Sequence, residues 1–357
     1  MTAFSCNPAC GCGGTLSRRS LLGALAAMPA TGAAMGAQAG EGPGKVDVHH
    51  HVIPPFWFEE VKEHIAAQGG GRIVPNWYGW SPERALREMD GAGVATAMLS
   101  ISAPGVWFGD SAAARSLSRR SNDYMAGLVR RRPDRFGLLA ALPYPDMEGS
   151  LAEIAYAFDE LKADGVGLFT SYGDKWLGDP AFWPVLDELN RRKAVVYVHP
   201  ASPQCCTRLM PYVPPFLTEF TQDTNRAILS LIYSGALKRV PDIRFIFSHA
   251  GGTIPMLAGR ISQLAPSVPA LQEKTPDGVE EALRGLYFEV ANSANRPAIA
   301  ALTSLAPDSQ LLFGSDFPLV ALPATADGIG KVGLGPAQLR ALEYGNARRL
   351  FPRLRRG

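Results

Sequence analysis

The chain has 357 residues, a formal net charge of +2 and 46% apolar residues. Charge this evenly balanced excludes both the basic excess of a nucleic-acid binder and the acidic tail of a solvated interaction arm. The length fits two average domains or one α/β barrel, and a core of that size folds without disulfides or a structural metal.

The chain opens on a segment that reads as a leader. Ser17-Arg18-Arg19-Ser20-Leu21-Leu22 begins an alanine-rich apolar stretch, and Ala37-Gln38-Ala39 supplies small residues at cleavage spacing. Paired arginines before a weakly hydrophobic run look like a bacterial twin-arginine export signal. A membrane-spanning helix is the competing reading, weakened by the shortness of the segment and its Gly and Ala content. The expectation is a leader over residues 1–39 and an exported or periplasmic mature protein over 40–357, with no membrane span after cleavage. Cys6, Cys10 and Cys12 would leave with the leader. The adjacent Cys205 and Cys206 are expected as reduced thiols, because a disulfide between neighbours is strained.

Beyond the leader, apolar β-type runs alternate with amphipathic helical patterns. Strands are predicted at Lys45–His49, Val94–Ser100, Phe136–Leu142, Val166–Thr170, Ala194–His199, Ile243–Ser248, Leu286–Val290 and Leu311–Ser315. Several are near-continuous apolar runs, as parallel strands buried on both faces should be. Helices are predicted at Pro82–Ala92 behind the N-cap Ser81, at Ser111–Arg131, Leu151–Ala163, Pro180–Arg192 and Thr221–Lys238, and near Pro297–Leu305. Eight such units read as a (β/α)8 barrel, a TIM barrel; a doubly wound open sheet is the alternative, but no glycine-rich nucleotide loop follows the first strand. The stretch from Gln68-Gly69-Gly70-Gly71 to Trp77-Tyr78-Gly79-Trp80 is a long excursion after strand one, either a lid or a covering loop. The run Arg130-Arg131-Arg132 is a solvated helix end.

Chemistry concentrates at predicted strand ends. Of the six histidines, His49, His50, His51, His199 and His249 fall there, and only His64 lies on a polar segment. Side chains alternate along a strand, so His49 and His51 share a face and can hold a divalent metal, while His50 points away. A surface histidine run is the bland alternative. His199 closes Val195-Val196-Tyr197-Val198-His199, His249 follows Phe245-Ile246-Phe247-Ser248, and Asp316 follows Phe313-Gly314-Ser315. Each alone could be a satisfied structural polar group. Together they would converge on one barrel mouth, the face where such barrels place catalytic groups.

Five motifs in order, Asp47-Val48-His49-His50-His51, Val198-His199-Pro200, Ser248-His249-Ala250-Gly251-Gly252, Gly314-Ser315-Asp316-Phe317-Pro318 and Gly345-Asn346-Ala347-Arg348-Arg349-Leu350-Phe351, carry a resemblance. The chain from about Lys45 onward resembles the metal-dependent amidohydrolase superfamily, in the branch of aminocarboxymuconate-semialdehyde decarboxylase and related aromatic acid decarboxylases. That resemblance implies an amidohydrolase-type barrel in which His49, His51, His199 and Asp316 bind one divalent metal, zinc or manganese. It implies His249 as the catalytic histidine, with Asp47 beside the ligands but outside the metal set. It also implies Arg260 as a contact to the substrate carboxylate, in some members across a dimer interface, so a homodimer is expected.

Strand four ends Leu168-Phe169-Thr170-Ser171, without the lysine that bridges two metals in binuclear relatives. Lys175 follows a turn and is expected in solvent. A mononuclear site is therefore expected, and with it decarboxylation of a small aromatic carboxylic acid, with Asp316 or a water held by His249 supplying the proton. Trp80 and Trp107 are expected near the mouth, Trp107 as a substrate contact. The segment Ala103-Pro104-Gly105-Val106-Trp107-Phe108-Gly109-Asp110 is similar to members acting on 6-methylsalicylate-type acids. Hydrolysis of a lactone or cyclic ester is the first rival. A non-catalytic metal-binding barrel is a second, against which His249 speaks.

Overall fold

The apolar runs become strands in the order in which they occur. In the computed structural model, which describes residues 44–356 apart from 69, 70, 207, 208 and 211, eight parallel strands form one sheet in sequence order. They are β1 (Lys45–Val52), β2 (Val94–Ile101), β3 (Phe136–Ala141), β4 (Gly165–Phe169), β5 (Val195–His199), β6 (Arg244–Phe247), β7 (Tyr287–Glu289) and β8 (Leu311–Leu312). The sheet closes on itself between its ends: Val48 N donates to Phe313 O at 3.0 Å and His51 N to Phe317 O at 2.7 Å. Asp316 N donates to His49 O at 2.8 Å across the same seam. The result is the (β/α)8 barrel expected from the alternation. The leader read over residues 1–39 lies outside the described residues.

The helices follow local chemistry. Ser81 Oγ accepts from Arg84 N at 3.1 Å and starts Pro82–Ala92 as expected; Asp110 does the same for Ser111–Arg131 through Ala113 N at 2.7 Å. Asp146 caps Gly149 N at 3.0 Å, so the next helix runs Met147–Asp159 rather than Leu151–Ala163. Pro180–Phe182 forms a 3-10 turn before the helix Trp183–Arg191. Gly235, at φ 85°, divides the segment expected as Thr221–Lys238 into Pro215–Tyr233 and Ala236–Arg239. Among the helices not anticipated are Pro55–Gln68 in the excursion after β1 and Ile254–Leu264 after β6.

Two apolar layers follow from the alternation of side chains. The larger lies between strands and helices. The smaller fills the barrel interior: Val46, Val48, Met98, Leu139, Tyr197, Ile246 and Leu312 pack with Leu350 and Phe351 from the C-terminal segment. That segment stoppers the base of the barrel, where Arg353 Nε donates to Asp164 Oδ1 at 2.9 Å and Arg353 Nη2 to Phe136 O at 2.9 Å. No described helix is long and apolar enough to cross a membrane.

Candidate metal centre and active site

Strand β1 is not a regular strand, and its irregularity makes the site. Asp47 pairs with Ala97 but His50 with Leu99, so three steps along β1 oppose two along β2. This is a β-bulge, which re-aims side chains. Val46 and Val48 face the interior, and so do His49 and His51, although strict alternation would send the two pairs to opposite faces. Asp47 holds the bulge. Its Oδ1 accepts from His49 N at 3.1 Å and Ser315 N at 3.0 Å, and its Oδ2 from Ser315 Oγ at 2.5 Å. His50 turns outward as expected, with Nδ1 3.0 Å from Asp47 Oδ2 and its ring stacked on Phe317.

Four predicted ligands meet at the mouth. His49, His51, His199 and Asp316 are all buried, and one ligand atom from each lies within 4.8 Å of the others. Each imidazole is held through its other nitrogen. His49 Nδ1 is 2.9 Å from Glu289 Oε1, His51 Nδ1 3.2 Å from Ser100 Oγ, and His199 Nδ1 2.8 Å from Pro200 O. A carboxylate and a carbonyl can only accept, so in His49 and His199 the proton sits on Nδ1 and Nε2 is left as a lone-pair donor.

These donors fit a cation. His49 Nε2 and His51 Nε2 are 3.0 Å apart, and Asp316 Oδ1 lies 3.1 Å from the first and 3.2 Å from the second. Two imidazole lone pairs at that range repel unless a positive charge stands between them. Asp316 Oδ1 is buried and has no hydrogen-bond partner among the described residues, while Asp316 Oδ2 accepts from Asn292 Nδ2 at 2.8 Å. Donors about 2.1 Å from a shared ion stand about 3 Å apart in cis octahedral positions and about 3.4 Å apart in a tetrahedron. The observed spacings of 3.0–3.2 Å fall within the range of donors that share one ion.

The electrostatics agree. Burial and the neighbouring imidazoles of His51 and His49 push His199 well below its ordinary pKa, keeping it neutral. Burial likewise lowers His51. For His49 burial works downward, but the carboxylates of Asp316 and Glu289 outweigh it and raise the ring to about 10. Burial would raise Asp316, yet the His49 and His51 imidazoles hold it well below the usual carboxylate range.

A second trio, His49, His249 and Glu289, also has ligand atoms within 4.8 Å of one another. Glu289 Oε1 there already accepts from His49 Nδ1 and from His249 N at 2.8 Å, so the first quartet is the better cation site. His249 Nδ1 is 3.1 Å from Ala291 O, which leaves Nε2 as its free nitrogen. Backbone strain gathers here: His249, Ala250, Asn292 and Asp316 have φ between 54° and 63°, in the left-handed region that non-glycine residues seldom adopt. Gly252, at φ 64°, permits the strand-six loop to press against the Thr221 carbonyl, which a Cβ would strike.

His249, Asn292 and Asp316 line a cavity of about 490 Å³. Its walls include Trp77, Phe216 and Phe220, and Arg72 is its cationic lining side chain. The helix Pro55–Gln68 and the residues after it form one wall, so the excursion is part of the site rather than a mere cover. Trp107 lines an adjoining cavity of about 310 Å³, which shares Gln68, Ala103 and Ser202 with the first. Trp80, expected at the mouth, is instead buried in the outer packing layer, because the helix it precedes is drawn into that layer. Arg260 is exposed on Ile254–Leu264 and does not line either cavity. His64 is exposed and stacks on Phe108. At the end of β4, Thr170 and Ser171 hydroxyls donate to the buried Asp223 at 2.5 and 2.8 Å, and Lys175 is exposed. Cys205 and Cys206 are free thiols.

Sequence reasoning missed Glu289, Asn292 and Arg72. Glu289 had a signal, since it ends a predicted strand at the catalytic face. Asn292 and Arg72 sit in loops with no periodicity to place them.

Comparison with known proteins fits this geometry. A 6-methylsalicylic acid decarboxylase of Aspergillus aculeatus is 37% identical over 325 residues, covering 87% of this chain and 97% of its own. One from Penicillium expansum is 34% identical over 318 residues, with 87% and 97% covered. The fold is shared with a dihydroxybenzoic acid decarboxylase from Polaromonas sp. JS666, solved with bound manganese and 2-nitroresorcinol, at TM-score 0.75, 23% identity and coverage of 87% and 97%. The amidohydrolase family model matches residues 46–353, from the strand that carries His49 to the arginine that seals the barrel base, and the chain belongs to that family.

Proposed function

We propose that this protein is a metal-dependent, non-oxidative carboxy-lyase acting on a small hydroxylated aromatic acid of the 6-methylsalicylate type. The observation that carries the reading is the quartet His49, His51, His199 and Asp316, whose Asp316 lines a largely apolar cavity that Arg72 also lines. A flat anionic ring suits that combination: aromatic walls for the ring and a cation for the carboxylate. The lactone hydrolase reading loses ground because the full-length relatives named above are decarboxylases.

A divalent ion bound by the quartet would supply a Lewis acid for the substrate carboxylate and its neighbouring hydroxyl oxygen. The chain supplies the rest. Arg72 draws the anion to the mouth, and Trp77 and Phe220 flank the ring. His249, its Nδ1 committed to Ala291 O, presents Nε2 to the cavity, where it can hold a water or relay a proton. Asp316, steadied by Asn292, is the second group placed to pass a proton to the ring. The proton enters at the ring carbon bearing the carboxylate. The bond to the carboxylate then breaks, its electron pair returns to the ring, and carbon dioxide leaves. One proton is consumed for each carbon dioxide released, and no electrons change hands.

Zinc and manganese both suit three imidazoles and a carboxylate, and metal analysis of the purified protein distinguishes them. Export by the twin-arginine route rests on Arg18-Arg19 and Ala37-Gln38-Ala39, and N-terminal sequencing of secreted protein tests it. A homodimer fits the exposed apolar side chains Met256, Leu264 and Val268 near Arg260, which would then serve a second copy's mouth. Light scattering of the purified protein checks this.

The deciding experiment is incubation of metal-loaded protein with 6-methylsalicylate, other hydroxybenzoates and a lactone panel. Release of carbon dioxide from a hydroxybenzoate is expected. Lactone opening without any carbon dioxide would overturn the reading.

A further inference from the structure

Glu289 lies outside the quartet, yet its carboxylate reaches both His49 and His249. It is fully buried at the end of β7. Its Oε1 accepts from His49 Nδ1 at 2.9 Å and from the backbone N of His249 at 2.8 Å, and its Oε2 accepts from Ala291 N at 2.6 Å. Ala291 in turn offers its carbonyl to His249 Nδ1 at 3.1 Å. One carboxylate therefore fixes the tautomer of a metal-facing imidazole, braces the left-handed backbone of His249, and positions the carbonyl that orients the His249 ring. The space for it is provided by the neighbouring strand, just past the end of β8. A Cβ on Gly314 would overlap the Glu289 carboxylate and come within 2.9 Å of His49 Cβ, although the Gly314 backbone is not in the left-handed region.

From this geometry we infer that Glu289, with Gly314 as its matching gap, is the positioning residue that couples the metal-facing Nε2 of His49 to the proton-carrying ring of His249. The inference rests on the reading of the quartet as a metal site. Three N–H donors surround the two oxygens, and no amide can serve all three. In Glu289→Gln the amide oxygen can take the place of Oε1, and its NH2 then faces the Ala291 N–H. Turned over, the NH2 faces His49 Nδ1 and drives the proton to Nε2, where it blocks the lone pair.

The test uses the full chain, with manganese and zinc as probes. Apparent metal affinity, measured by chelator competition and metal analysis, is expected to fall about 10- to 100-fold in Glu289→Gln. Gly314→Ala, which leaves Glu289 chemically intact but displaced, is expected to fall in the same range. Nitrogen NMR of the zinc-loaded protein should show the signal of the His49 Nδ1 proton shifted or lost in Glu289→Gln. Asp223→Asn, at a buried carboxylate bonded to Thr170, Ser171 and Trp176, controls for loss of a buried polar group and should leave metal affinity unchanged. Wild-type metal affinity in Glu289→Gln, or an equal loss in Asp223→Asn, would overturn the inference. If wild-type protein bound neither metal, the quartet reading would fail first, independently of Glu289.

Discussion

The two halves of the barrel interior are built from the same strands and do opposite things. Toward the base, Val46, Val48, Leu139, Ile246 and Leu312 meet Leu350 and Phe351 in an apolar plug. Toward the mouth the same strands end in His49, His51, His199, Glu289 and, past the end of β8, Asp316. The base is relaxed and apolar, stabilised by dispersion and burial. The mouth is charged, desolvated and carries left-handed backbone at four non-glycine positions. Stability is concentrated in the lower half, and it sustains the strain and buried charge of the upper half.

That division predicts separable effects. The largest belongs to the mouth. His249→Ala is expected to lose about 10²- to 10⁴-fold in turnover while keeping its metal, whereas His199→Ala should lose the metal itself. Metal analysis beside carbon dioxide release distinguishes the two, and normal turnover in His249→Ala would remove it from the mechanism. Next comes the base. Phe351→Ala should cost about 3–5 kcal/mol of stability in denaturant melts, with kcat/KM of the folded fraction unchanged. An altered kcat/KM would show that plug and mouth are not independent.

Smaller effects sharpen the boundary. Arg72→Ala removes a cation at the cavity wall and should raise KM by about 10- to 100-fold, matching about 1.5–3 kcal/mol for a charged hydrogen bond, with metal content intact. A change in kcat alone would instead move Arg72 into the proton-transfer chemistry. The smallest lies outside both halves. Hydrogen bonds from Arg191 and then Arg192 hold Glu188 at about 2, against burial that opposes them. Its folded pKa is below its unfolded one. The stability it adds is therefore present above its ordinary value near 4.5 and is lost as pH falls toward 2. Because the pair is partly solvated, with Arg191 two-thirds exposed, Glu188→Gln should cost no more than about 1 kcal/mol at neutral pH, and nothing well below pH 2. Melts across that range check both limits.

What could be read in advance follows the same division. Buried parallel strands write themselves as apolar runs, so seven of the eight strands and the Ser81 and Asp110 caps were legible. Strand eight was read three residues too long, because Phe313, Gly314 and Ser315 leave the ladder with β7 on the way to the mouth. The four proposed ligands were legible because strand ends at one barrel face converge. The geometry of His49 and His51 was right for an incomplete reason. Strict alternation places them together but sets them against Val46 and Val48, and only the bulge at Asp47 puts all four inside. Arg72, Asn292 and the true position of Trp80 were illegible, because loops and helix faces obey tertiary packing that no local period records.

The seam between the first and last strands has a consequence for when the protein becomes competent. The hydrogen bonds that close the barrel are made by the site's own backbone: His49 O receives Asp316 N, and His51 N reaches Phe317 O. Partners more than 260 positions apart along the chain must meet before either His49 or Asp316 is in place. A chain whose last strand has not docked lacks Asp316 and the bond that holds His49 O. Ring closure and completion of the four-residue set are one event.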